Sequence, residues 1–317
     1  MSHLADGRPP LSERHVSERS AQSALRASIL SLVCPGPVQV GSRGSKSRAT
    51  GANVAPAGSG GYRPGMTDTS AHPSLPLPPV EMRRFVSPIT DPAFFDNPTG
   101  QGALDQFGTF DYSAVLDFGC GCGRIARQML QQQVPPAKYL GIDLHPEEIA
   151  WCRANLERPG FRFEHMDIQN DQFNPSGSVR QHPFPAGGDH FTLAVANSVF
   201  THILERDVAF YLSECARALS DDGILFATWF VFDKRHFPAM QTFQNALYIN
   251  PDNLNNAVWY DVEFIFDLYR KHGLTIFDIR LPAVRGHQYV LKARKGPGDH
   301  VAFPEDTAHF ISDAARP

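Results

Sequence analysis

The chain has 317 residues, 42% of them hydrophobic and 20% charged, and a formal net charge of −4, which gives room for one domain with a sizeable core plus a further segment. The charge is uneven: residues 1–80 hold 8 Lys and Arg against 4 Asp and Glu, and the remainder holds 21 against 29. The larger part is therefore acidic, which argues against nucleic acid as a substrate, because phosphate backbones call for a basic face.

Residues 1–80 are rich in Ser, Arg, Ala, Gly and Pro, lack an apolar period, and read as a disordered tail. Residues 27–34 form a weak apolar run after several arginines, but two serines break it and Glu13 and Glu18 precede it, which is a poor secretory signal. Translation could equally start at Met66 or Met82. No apolar run reaches the ~18 residues of a membrane span. Residues 81–108, with Arg83, Arg84, Phe85, Phe94 and Phe95, precede the first strand of a domain expected over 81–296.

That domain opens on Val115-Leu116-Asp117-Phe118-Gly119-Cys120-Gly121-Cys122-Gly123-Arg124: an apolar strand, an acid near its end, and a three-glycine turn that starts a helix. Glycine reaches positive φ without steric cost and lets the backbone approach a bound molecule, so the turn reads as a cradle. A dinucleotide fingerprint, G-x-G-x-x-G, would need glycine where Arg124 stands; here the spacing is G-x-G-x-G. The next strand, 139–142, ends in Asp143, about 20 residues past the glycines, where an acid can accept from both hydroxyls of a ribose. A helix over 147–156 and a strand from Phe161 follow, leading to Asp167 and Ile168. Residues 169–188 form a loop, 191–196 a buried strand, and Asn197-Ser198-Val199-Phe200-Thr201-His202 lies at its end.

Val208, Leu212, Cys215 and Leu219 make one helical stripe, stopped by Ser220-Asp221-Asp222-Gly223, and a strand over 224–229 comes next. Residues 233–260 carry Phe237, Phe243, Tyr248, Trp259 and Tyr260, which would either line an acceptor pocket or pack an inserted helix. A helix over 258–272 stops at Gly273, two strands lie near 275–277 and 288–291, and 297–317 reads as a flexible extension. Alternating strands and helices imply a mostly parallel sheet covered on both faces. Cys34, Cys120, Cys122, Cys152 and Cys215 fit no disulfide framework and suit a reducing cytoplasm, and Cys120-x-Cys122 lacks the second pair that zinc needs.

The glycine spacing, with Asp117 before it and Asp143 after it, resembles motif I of class I S-adenosylmethionine-dependent methyltransferases. The resemblance implies a Rossmann-like, doubly wound, mostly parallel seven-stranded sheet of order 3-2-1-4-5-7-6 with the last strand antiparallel. It implies S-adenosyl-L-methionine as cofactor, held by Asp117, Gly119, Cys120, Gly121, Gly123, Asp143, Leu144, Asp167, Ile168 and Asn197. An acid suits a ligand carrying an ammonium and a sulfonium, where it would repel a phosphate. The expected activity is methyl transfer to a small-molecule acceptor, at oxygen, with His202 as base and no metal. The alternatives are an NAD(P)-dependent oxidoreductase, against which the spacing at Arg124 counts, and a non-catalytic S-adenosylmethionine-binding module acting through a protein partner.

Overall fold

A computed structural model describes residues 75–86, 89–188, 190–282 and 287–304; the expected disordered tail through residue 74 lies outside the described residues. Five strands carry the parallel sheet: β1 Ala114–Phe118, β2 Lys138–Asp143, β3 Phe161–His165, β4 Phe191–Ala196 and β5 Leu219–Phe232. β2 and β4 flank β1, β3 pairs with β2 and β5 with β4, all in parallel. β9 (Tyr289–Lys295) runs antiparallel along Ile224 to Trp229 of β5, and β8 (Leu274–Arg280) runs antiparallel along β9. The expected seven-strand order is thus present as β3-β2-β1-β4-β5-β9-β8.

The helices are α1 (Val80–Val86), α2 (Arg124–Leu130), α3 (Pro146–Asn155), α4 (Glu205–Ala218) and α5 (Val262–Lys271). Side chains alternate along each strand, so consecutive residues serve opposite faces. Val115, Leu193, Val195 and Phe226 meet Ile125, Ala126 and Met129 of α2 and Ile149 and Cys152 of α3. Their neighbours Leu116, Ala194, Leu225 and Ala227 meet Val208, Leu212 and Cys215 of α4 and Ile265 and Leu268 of α5. Two buried faces explain why these strands read as near-continuous apolar runs.

Two expectations are corrected. Residues 258–261 belong to a strand rather than to a helix: β7 (Val258–Asp261) pairs parallel with Phe230 to Phe232 at the far end of β5, and β6 (Ala246–Tyr248) pairs antiparallel with β7. Among the described residues the sheet therefore has nine strands. Asp261 ends β7 and caps α5, its carboxylate accepting from the Phe264 amide, so the helix starts one residue past the acid. Trp259 and Phe237 accordingly pack with the β6–β7 hairpin and not into an inserted helix, while Phe243 and Tyr248 are exposed. Trp259 stacks on Phe230 at 4.7 Å, and Phe237 and Leu247 close a small third core with them.

Both ends of the domain are tied down further out than expected. The guanidinium of buried Arg127 donates to the carbonyls of Leu75 and Pro76 and pairs with Asp96. At the other end His300 accepts from the Ile276 amide and donates to the Phe266 carbonyl, and Phe303 packs on Tyr289, so the extension is anchored along β8 as far as residue 303.

Candidate functional site

The carboxyl ends of β1, β2 and β4 open onto one cavity, the place where ligands sit on open α/β sheets. It contains about 1250 Å³ of empty space, its mouth included. The floor is the turn after β1. Gly119, Gly121 and Gly123 have φ of 80°, 53° and 76°, all left-handed. Gly119 and Cys120 donate their amides to the Ile142 carbonyl at 2.8 and 3.1 Å, which folds the turn back against β2. A Cβ on Gly119 would lie 2.3 Å from Val199 Cγ2, and one on Gly121 2.4 Å from Val86 Cγ1. Gly123 instead meets Leu156 and Cys152, so it serves the packing of α2 on α3 rather than the cavity. Cys120 and Cys152 are buried, and both thiols point at the Gly121 carbonyl, at 3.7 and 3.5 Å. Burial pushes the Cys120 thiol well above its ordinary value, so this sulfur acts as a small packing group.

Asp143 is fixed by backbone amides. Oδ2 accepts from Gly121 at 2.8 Å and Oδ1 from His145 at 2.8 Å. A carboxylate has about four acceptor sites, so this grip orients the group without exhausting it. Burial raises the Asp143 carboxyl, and the two amides pull it back down. Leu144 and Ile168 line the cavity beside it. Asp167 does not: it is exposed, and bonds from Ser178 and Asn174 hold its carboxyl below the usual range.

Asp117 is not in the cavity wall either. It is 1% exposed and accepts from the Tyr139 hydroxyl at 2.5 Å, and its Oδ1 has no hydrogen-bond partner among the described residues. Burial pushes its carboxyl up to about 7, with the Tyr139 bond and Arg124 acting in the opposite sense. Between about pH 4 and pH 7 the unfolded chain ionises Asp117 while the folded chain keeps it protonated, so this residue lowers stability as pH rises, by up to about 4 kcal/mol above pH 7. Asp117→Asn keeps the acceptor for Tyr139 and removes the titration. The fall in Tm between pH 5 and pH 8 is therefore expected to shrink by several degrees in thermal melts. Parallel pH profiles for the two proteins would mean that Asp117 ionises normally.

At the tip of β4, Asn197, Ser198 and Val199 line the cavity, and a short turn, Phe200–His202, brings in His202. His202 Nδ1 lies 3.0 Å from the Asn255 carbonyl. A carbonyl only accepts, so Nδ1 carries the proton and Nε2 is the basic nitrogen of the neutral ring. Phe173 meets the ring edge-on at 5.1 Å. Asn255 returns a bond from Nδ2 to the His202 carbonyl at 2.8 Å and accepts from the Asp171 amide, joining the 233–260 segment to the 169–188 loop at this histidine. Of the 233–260 segment only Asn255 reaches the cavity among the described residues, so its aromatic residues lie outside this wall. Phe85, Glu148, Asn170, Phe173, Tyr211 and Asn255 are wall residues the sequence did not single out as ligands. Phe85, in the segment ahead of the first strand, and Asn255, in the 233–260 segment, carried a positional signal, and Glu148 lies in the first turn of α3.

An open parallel sheet with a left-handed glycine turn, and an acid on the next strand end gripped by that turn, defines a nucleoside-cofactor domain of the Rossmann-like kind. Residues 116–225, about a third of the chain, match the family described as a methyltransferase domain. Over 126 residues, 39% of the chain, it is 25% identical to the malonyl-[acyl-carrier protein] O-methyltransferase of Acetivibrio thermocellus; the match spans 38% of that relative's length. Among solved structures it is similar to a putative methyltransferase in complex with the Trm112 activator from Haloferax volcanii, with 15% identity, TM-score 0.44, and coverage of 63% of this chain and 89% of that one. It is similar as well to an S-adenosylmethionine-dependent methyltransferase from Mesorhizobium loti, with 17% identity, TM-score 0.41, and coverage of 57% and 90%. No helix among the described residues is long and apolar enough to cross a membrane.

Proposed function

We propose that the chain transfers a methyl group from S-adenosyl-L-methionine to an oxygen atom of a small-molecule acceptor. The observation that carries this reading is the meeting, in one cavity, of a glycine cradle, an amide-gripped Asp143 and an imidazole whose basic nitrogen is Nε2. The cofactor, when bound, supplies an electrophilic methyl on a sulfonium. The chain's own residues then have separable tasks. Gly119, Cys120 and Gly121 offer a close backbone surface to its methionine half, with Gly123 shaping the turn. Asp143 accepts from the ribose hydroxyls, and Leu144 and Ile168 cover the purine. Asn197 faces the transferred group, and His202 takes the acceptor's proton as the new bond forms. Asp117 supports the cradle from behind, through Tyr139 and the field at Arg124. The oxygen target agrees with the printed activity of the Acetivibrio relative, and the acidic balance of residues 81–317 favours a small acceptor over nucleic acid.

Calorimetric titration of the full chain with S-adenosylmethionine, S-adenosylhomocysteine and NADH tests the reading. Binding of the first two without NADH is expected, followed by labelled methyl transfer into a small-molecule pool. NADH binding alone would point to an oxidoreductase, and cofactor binding without turnover to a partner-dependent module. Asp143→Ala removes the ribose acceptor and releases two amides, and should weaken S-adenosylhomocysteine by about 1–3 kcal/mol. An unchanged affinity would take Asp143 out of the site.

A further inference from the structure

Ser198 is a non-glycine residue at φ 61°, on the cavity wall between Asn197 and Val199. A left-handed side-chain-bearing residue is strained and persists only where its surroundings impose it. Here the surroundings are two buried side chains from other strands, Thr228 of β5, fully buried, and Gln288 next to β9, 2% exposed. Three bonds form a ring: the Ser198 amide donates to Thr228 Oγ1 at 2.6 Å, Thr228 Oγ1 donates to Gln288 Oε1 at 2.5 Å, and Gln288 Nε2 donates to Ser198 Oγ at 2.8 Å.

The direction of this ring is fixed by chemistry. The backbone N–H can only donate, so Thr228 Oγ1 accepts there, and its own proton has one buried acceptor, the amide oxygen of Gln288. Turning the Gln288 amide over would leave the threonine proton buried without a partner, which is unfavourable. With the amide so oriented, Nε2 faces Ser198, and the serine oxygen must accept. None of the three bonds uses the Ser198 hydroxyl proton. A hydroxyl that accepts from inside the wall presents a donor to the outside.

We propose that Ser198 is a substrate-binding donor whose polarity Thr228 and Gln288 impose, and that it selects acceptors bearing a lone-pair oxygen, carbonyl or carboxylate, next to the atom that is methylated. This rests on the methyl-transfer reading of the cavity, but the binding step can be tested without it. The probes are acetophenone, benzoate and, as the isosteric hydrocarbon, ethylbenzene, each titrated by NMR into the full chain with and without S-adenosylhomocysteine. The wild type is expected to bind an oxygen probe at least fivefold tighter than ethylbenzene; benzoate ahead of acetophenone assigns the carboxylate, and the reverse order the neutral carbonyl. Ser198→Gly suits the left-handed backbone, keeps the amide bond to Thr228 and removes the hydroxyl, so it should erase the preference while S-adenosylhomocysteine binds within threefold of wild type. Thr228→Val, which retains the serine hydroxyl but frees the Gln288 amide to turn, should reduce the preference as well. A wild type that binds ethylbenzene equally, or a preference that survives in Ser198→Gly, overturns the proposal. Loss of S-adenosylhomocysteine binding in the wild type would count against the cofactor reading alone, because the probe preference is also measured without it.

Discussion

Gly119→Ala is expected to lower affinity for S-adenosylhomocysteine by roughly 2–5 kcal/mol, about thirtyfold or more, in a chain that still folds. The new Cβ meets two separate obstacles. At φ 80° an alanine pays the left-handed penalty, about 1–2 kcal/mol, because its Cβ crowds the following carbonyl. The same Cβ lies 2.3 Å from Val199 Cγ2, so either the turn or the β4 tip must shift. Both outcomes damage the site, since Val199 follows Ser198 and precedes the turn that carries His202. The global fold should survive, because Gly119 lies in the turn beyond the end of β1 while the core contacts of β1 run through Val115 and Leu116. The double variant Gly119→Ala with Val199→Ala separates the obstacles: it removes the clash, keeps the φ cost, and should recover part of the affinity. Calorimetry on both variants checks this. An alanine at 119 that binds as tightly as glycine would mean that the cofactor does not lie against this turn.

The cradle was legible because local chemistry dictates it: three glycines in five positions, an acid at the next strand end, and a turn too tight for other residues. The mostly parallel sheet was legible because strand and helix alternate along the chain, whereas its strand order came from the family resemblance. The Ser198 ring was not. Thr228 and Gln288 are 30 and 90 residues from Ser198, and they meet it only through the register of β5 against β4 and β9. Spacing along a chain carries no information about such a meeting. The β6–β7 hairpin was missed for another reason. Val258, Val262 and Ile265 fall at helical intervals, and that period continued across Asp261, although an acid just ahead of a helix is a start signal. Asp117 and Asp167 illustrate a third limit: spacing placed the acids near the cofactor, but which way a carboxylate turns depends on Tyr139, Ser178 and Asn174. Asn255 lay in the segment read for its aromatic residues, and its part in holding His202 follows from a backbone carbonyl that no side-chain pattern reveals.

His202→Asn should slow methyl transfer by about 10²–10⁴ while leaving cofactor affinity unchanged. Asparagine is chosen because its Nδ2 occupies roughly the place of Nδ1 and can donate to the Asn255 carbonyl, preserving the junction between the 169–188 loop and the 233–260 segment. What it lacks is a basic nitrogen at the Nε2 position. The wild-type rate should fall on the acid side, where a protonated imidazole cannot accept, and that limb should vanish in the variant. His202→Ala, by contrast, also breaks the junction and should add a loss of stability to the loss of rate. The pair of variants therefore separates proton transfer from scaffolding. If asparagine proves as fast as histidine, His202 serves to hold Asn255 in the wall, and the acceptor must arrive already ionised. A carboxylate does so, and Ser198 is then the group that receives it.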